Sequence, residues 1–245
     1  MLLGSIPRFF RTCKQRLRRE SSIVFMSFGS LRRLEPVSRI FGLDRGKPVD
    51  RCFIERFLDR CAEDVHGHVL EIGDNTYTVR YGGARVTQSD VLHATPDNPK
   101  ANIIADLTSA YQIPSETFDC IILTQTLQYI FDPRAAIRTL YRILKSGGIV
   151  LATFPGISQI SRYDMGRWGD YWRFTTLSAR RLFEEVFPAE NLEIHAYGNV
   201  FVAIAFLHGL ATEELTKKEL DHVDPDYEVV ITVRAVKPLN RSSQP

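Results

Sequence analysis

The 245-residue sequence has no apolar run near the roughly 18 to 20 residues that a membrane-spanning helix needs. The stretch Ile121, Ile122, Leu123 stops at Thr124 and Gln125, so no membrane-crossing helix is expected. Four cysteines, Cys13, Cys52, Cys61 and Cys120, form neither a Cys-x-x-Cys pair nor a Cys/His cluster at zinc spacing. That argues against a metal site or a disulfide scaffold, and reduced thiols fit a cytoplasmic protein. The fifteen glycines and twelve prolines follow no period, which removes collagen-like, solenoid and linker-dominated readings. A Gly-x-Gly-x-x-Gly fingerprint is also missing, which weighs against a nicotinamide-dependent enzyme. What remains, at 44% hydrophobic and 24% charged residues, is one large globular domain.

The net charge of +2 conceals an asymmetry: residues 1–47 carry eleven Lys/Arg against three Asp/Glu, so the rest of the chain is acidic. Within this extension Ile6, Phe9, Phe10, Cys13 and Leu17 recur at helical spacing, while Arg8, Arg11, Lys14, Arg18 and Arg19 mostly fall elsewhere on the wheel. Residues 6–19 thus read as a basic amphipathic helix. It suits an anionic membrane surface or acidic protein partner, packing on the domain, or an upstream extension without a role, with Met26 as an alternative start. Nucleic acid is not an expected partner, because the body is acidic.

From Val49 the pattern becomes regular. Phe53, Ile54, Phe57, Leu58 and Cys61 line one face of a helix that Pro48 begins. Asp50, Arg51 and Glu55 lie on this helix where it would cover a site, although a solvated face explains them equally. Short apolar runs predict strands at 68–73, 84–91, 102–106, 118–124, 149–154, 192–197 and 228–236. Pro133 opens a helix with Ala136, Ile137, Leu140, Ile143 and Leu144 at core spacing, closed by Lys145, Ser146, Gly147 and Gly148. Further helices are expected at 177–187 and 200–215. Alternating helices and strands with near-continuous apolar strands predict an α/β domain over 48–238. Its sheet would be doubly wound, mostly parallel and seven-stranded, with a polar tail over 239–245.

In such a sheet ligands bind beyond the carboxyl ends of the strands. Polar residues stand where those ends are predicted: Glu71 and Gly73, Asp90, Asp106, and Thr124 with Gln125. The spacing from Glu71 to Asp90 is close to that at which an acid beyond a glycine turn meets a ribose diol. Ordinary strand-terminal turns would also use Asp and Gly.

The segment Phe118, Asp119, Ile121, Leu127, Ile130, Asp132, Pro133, Ala136, Arg142, Leu144, Lys145, Gly147, Gly148, Pro155 resembles the class I S-adenosylmethionine-dependent methyltransferases. The likeness is to their small-molecule branch and covers roughly residues 66–155. The run Asp170 to Thr175 resembles a segment after the fifth strand in members near glycan and natural-product gene sets. The resemblance implies a Rossmann-like fold and S-adenosylmethionine as cofactor. Glu71 and Gly73 would lie under its methionine part, Asp90 would meet the ribose and Asp106 the adenine amino group. Thr124 and Gln125 would stand beside the sulfonium, with Tyr129 over the adenine. The chain departs from the family where Gly73 is followed by Asp74, Asn75, Thr76, Tyr77 and Thr78 in place of further glycines. Only Asp74 to Gly83 separate the first two strands, so the first crossovers are shortened.

Methyl transfer to oxygen needs alignment and a proton acceptor. Asp164, Asp170 and His208 are the candidate bases, with Tyr163, Trp168, Trp172 and Arg173 as walls and anchors for an acceptor. Core packing for Trp172, a structural ion pair for Arg173 and a packed His208 are the competing readings. The expected activity is O-methylation of a small molecule, a sugar or glycosylated metabolite. The alternative is a non-catalytic module that binds a protein or membrane through its extension.

Overall fold

The computed structural model describes Gly29 and residues 32–239. The amphipathic segment 6–19 and most of the polar tail lie outside the described residues.

Seven strands form one sheet: β1 Gly67–Ile72, β2 Val86–His93, β3 Ile103–Ile104, β4 Phe118–Thr124, β5 Leu144–Pro155, β6 Leu192–Tyr197 and β7 Val230–Val236. Their order is β3-β2-β1-β4-β5-β7-β6. The first five run parallel, and β7 is antiparallel to both β5 and β6. Between β1 and β4 the winding changes direction, which opens a crevice at their carboxyl ends.

Both faces of the sheet are covered, which is why the central strand β4 is apolar at most positions. Along β4, Ile121 and Leu123 pack with helix α2 (Pro133–Ile143) and helix α4 (Thr176–Glu184). The alternate residues Cys120 and Ile122 pack with helix α1 (Val49–Arg60) and helix α5 (Val200–Leu207). Helix α2 begins as Asp132 accepts from Ala135 N at 3.0 Å with Pro133 in the first turn, where a missing N–H costs nothing. A four-residue helix, α3, spans Arg162–Met165, and another short one, α6, spans Lys217–Asp221.

Three expectations change. Lys145 to Gly148 do not cap α2. Leu144 is already extended, and Gly147 takes φ +78° in an irregularity where β5 meets β4, donating to the Lys237 carbonyl at 2.9 Å. The helix expected over 200–215 stops at Leu207, because the chain turns at Gly209 with φ +70°. Residues 35–47, counted with the basic extension in the sequence, belong to the compact unit that starts at Glu35. Val37 and Ser38 donate to the His208 carbonyl, and Lys47 accepts from Thr212.

The first crossover is short: a five-residue π-helical turn, Thr78–Gly82, and a 3-10 turn, Gly83–Arg85, link β1 to β2. No helix among the described residues is long and apolar enough to cross a membrane. No group of three metal-ligating side chains occurs among them either.

Candidate active site

A cavity of about 840 Å³ lies at the carboxyl ends of β1, β2, β3 and β4. Gly73 supplies its floor at the end of β1, in a left-handed conformation with φ +89° that other residues adopt only under strain. A Cβ there would meet no atom within 4 Å, so the backbone is open to a ligand. Asp106 stands just beyond β3, exposed, with Oδ1 accepting from Thr108 N at 2.8 Å. Thr124 and Gln125 close β4, and Tyr129, Trp168 and Tyr171 add aromatic walls.

Glu71 does not line this space. It is 2% exposed and accepts from Thr78 N at 2.7 Å, Thr78 Oγ1 at 2.8 Å and Tyr77 N at 3.2 Å. It thereby fixes the turn that the missing glycines would otherwise shape. Burial pushes its carboxyl up to about 7, more than those hydrogen bonds pull it down.

Asp90 is the clearest correction. Strand β2 runs three residues beyond it, to His93, so the expected strand-end acid lies inside the strand. Its carboxylate accepts from Asn102 Nδ2 at 2.7 Å and lies 2.6 Å from His68 Nε2. Burial raises its pKa, but these two partners outweigh that and hold it below the ordinary range. Asp90 faces another hollow, beside Ile103 and Phe118. His93 takes the strand end, its Nδ1 2.9 Å from the Thr95 carbonyl and its ring edge-on to Trp168 at 5.4 Å.

A smaller cavity of about 100 Å³ adjoins the first through Gln125 and Tyr129, which line both. Gln125 is one of three described non-glycine residues with positive φ, at 45°. Its backbone N–H donates to the Thr153 carbonyl at 3.0 Å and its carbonyl accepts from Gln128 Nε2 at 2.9 Å, which together hold the strained turn. Phe41, Asp50, Gln128, Asp170, Arg173 and Phe206 contribute to the same small space.

The three candidate bases have different surroundings. Asp170 is clamped by Arg173 through two contacts of 2.5 and 3.0 Å and by Ser161 N at 2.9 Å. Burial works against its charge, yet these partners hold its pKa below the ordinary range. It is a structural carboxylate, and Arg173, tied also to the Gln159 and Trp172 carbonyls, is no free anion anchor. Asp164 lines the large cavity and accepts from Ser161 Oγ at 2.5 Å. Burial, then the charge of Asp164 beside it, push the Tyr129 phenol well above its usual range. His208 lines neither cavity: it ends α5, and its carbonyl binds the 37–38 backbone.

Of the expected acceptor walls, Trp168 faces the large cavity. Trp172 lies outside both, donating to the Ile130 carbonyl at 3.1 Å. Tyr163 is 67% exposed beneath the Arg167 guanidinium and is also outside them. Sequence reasoning missed His93, hidden by the Glu71–Asp90 spacing, and Gln128. Asp50, expected with Arg51 and Glu55 on a helix that would cover a site, lines the smaller cavity from the first turn of α1.

Residues 66–152 match the sequence profile of a family described as "Methyltransferase domain". No curated protein matches the chain. Among solved structures, a SAM-dependent methyltransferase from Archaeoglobus fulgidus aligns with a TM-score of 0.51 at 12% identity, over 77% of this chain and 94% of that one. A Haemonchus contortus phosphoethanolamine N-methyltransferase 2 in complex with S-adenosyl-L-methionine aligns at 0.52 and 16% identity, over 86% of this chain and 55% of that one. Residues 66–152 thus match a methyltransferase-domain profile, and the seven-stranded sheet has the Rossmann-like fold of the class I S-adenosylmethionine-dependent methyltransferases that the chain resembles.

Proposed function

We propose that the protein transfers a methyl group from S-adenosylmethionine to a hydroxyl of a small molecule, a sugar or glycosylated metabolite. The observation that carries this reading is the pair of adjoining cavities sharing Gln125 and Tyr129. A group held in the larger one meets an acceptor held in the smaller one at those two side chains.

The residues fit the cofactor. The larger space is big enough, sits at the switch point of the sheet and leaves the Gly73 backbone open. One Asp106 carboxylate oxygen is bonded to Thr108 N, and the other suits an adenine amino group. His93 replaces an acid toward the ribose, with an imidazole nitrogen that can donate or accept. When bound, the cofactor supplies a methyl group on a positively charged sulfur. The chain's part is to align the acceptor, exclude water and remove a proton.

Calorimetry with S-adenosylhomocysteine tests the reading. Micromolar binding to the wild type, weakened at least about tenfold in Asp106→Ala, is expected. A folded wild-type protein that binds none would favour the non-catalytic module, for which the five-residue π turn in place of a crossover helix is the supporting observation.

A further inference from the structure

The small cavity has an unusual balance of hydrogen-bonding groups. Gln128 is 3% exposed, and its Nε2 is committed to the Gln125 carbonyl at 2.9 Å. A carbonyl only accepts, so that bond fixes which end of the amide is oxygen. Gln128 Oε1 is buried with no hydrogen-bond partner among the described residues. Asp50 lines the same space, and its carboxylate is met by the backbone N–H of Arg51 at 2.7 Å and by no side-chain donor among the described residues. Burial raises the pKa of Asp50, more than that backbone bond lowers it. The one cation among the described residues of the lining, Arg173, is spent on Asp170.

Two acceptors that the protein leaves without side-chain donors call for a ligand that brings donors. An ammonium group would bring them with a second positive charge beside a sulfonium, which repels it. Neighbouring hydroxyls bring donors and no charge. A volume of about 100 Å³ holds roughly three water-sized groups, enough for the hydroxyl-bearing edge of a ring whose remainder stays outside.

We infer that the cavity between Asp50 and Gln128 is the acceptor subsite for a polyol, with Gln128 Oε1 accepting from one hydroxyl and Asp50 taking the proton of its neighbour. This rests on the methyl-transfer reading above. The reacting oxygen passes its proton to a carboxylate oxygen of Asp50 and forms one bond to the methyl carbon. The carbon–sulfur bond breaks and its electron pair stays on sulfur, so charge and atoms balance. Asp50 succeeds the clamped Asp170 as base, because a carboxylate with no side-chain hydrogen-bond donor is a better proton acceptor than one locked to a guanidinium.

The test uses the full chain saturated with S-adenosylhomocysteine and a panel of methyl glucoside, galactoside and mannoside as probes. Ligand-observed NMR is expected to detect at least one glycoside, with affinity reduced about tenfold in Asp50→Asn and in Gln128→Leu. S-adenosylhomocysteine affinity and cooperative unfolding should stay at wild-type values in Asp50→Asn. With labelled S-adenosylmethionine, transfer to that glycoside should fall about 10²- to 10⁴-fold in Asp50→Asn. Gln128→Leu should act chiefly on KM. Absence of S-adenosylhomocysteine binding would sink the methyl-transfer reading itself. Normal S-adenosylhomocysteine binding with no bound glycoside, with equal binding by the variants, or with ethanolamine bound in preference would overturn the polyol subsite alone.

Discussion

The carboxylate of Asp90 lies 2.6 Å from His68 Nε2, a contact between adjacent strands that holds the acid inside the sheet, three residues short of the end of β2. His93 therefore faces the large cavity at the place where an acid was expected. Asp90→Ala should leave S-adenosylhomocysteine affinity at the wild-type value while costing about 1–3 kcal/mol of stability, since His68 and Asn102 lose a buried partner. His93→Ala should do the reverse, weakening the ligand about tenfold with little change in stability. Calorimetry and urea unfolding on both variants decide this, and a ligand lost only in Asp90→Ala would return the ribose role to Asp90.

Glu71 gives the fold a pH dependence of unusual sign for a carboxylate. Its folded pKa is raised to about 7 from an ordinary 4.5, so the folded state binds more protons between those values. Stability is then greatest below about 4.5 for this group and is lost as pH rises through about 7. The expected loss is on the order of 3 kcal/mol, to be read from urea unfolding at intervals between pH 5 and 7.5. Glu71→Gln should flatten that slope.

Gln125 carries φ 45° at the junction of the two cavities. Gln125→Gly should be neutral or stabilising by up to about 1 kcal/mol, because glycine adopts this conformation freely. Methyl transfer should nonetheless fall, since the side chain that both cavities share is gone. Gln125→Val, branched at Cβ, should destabilise by about 1–3 kcal/mol in thermal unfolding.

The Asp170–Arg173 pair holds the loop after β5 in place. Asp170 is 1% exposed at its side chain, so Arg173→Ala leaves a buried charge and should cost about 3 kcal/mol in chemical denaturation. If Asp170 were instead the catalytic base, Asp170→Asn would abolish transfer while leaving stability intact.

How much was legible from residues can be followed along β4 and its neighbours. Apart from Asp119 and Thr124, Phe118 to Thr124 is apolar because helices cover both faces, so its position followed from its residues alone. Asp132 and Pro133 marked the start of α2 through local capping chemistry, which needs only adjacent residues. Gly73 and Asp106 line the cavity, since a turn directly after a strand leaves little freedom. Asp90 did not, because the length of β2 is set by pairing with β1, where Leu92 lies opposite Ile72.

The sequence by itself determined the alternation of helices and strands, the covered sheet and the family likeness of residues 66–152, because periodicity, capping and strand-end residues act within a few positions of each other. Only the tertiary structure decided which acids keep free oxygens. Asp170 is paired with Arg173, three residues away, and Asp90 lies against His68 on the adjacent strand. Asp50 and Gln128, remote in sequence, came to line one small cavity. Hydrogen-bond partners and burial set the chemistry of a carboxylate, and both are properties of the folded neighbourhood, not of the residue type.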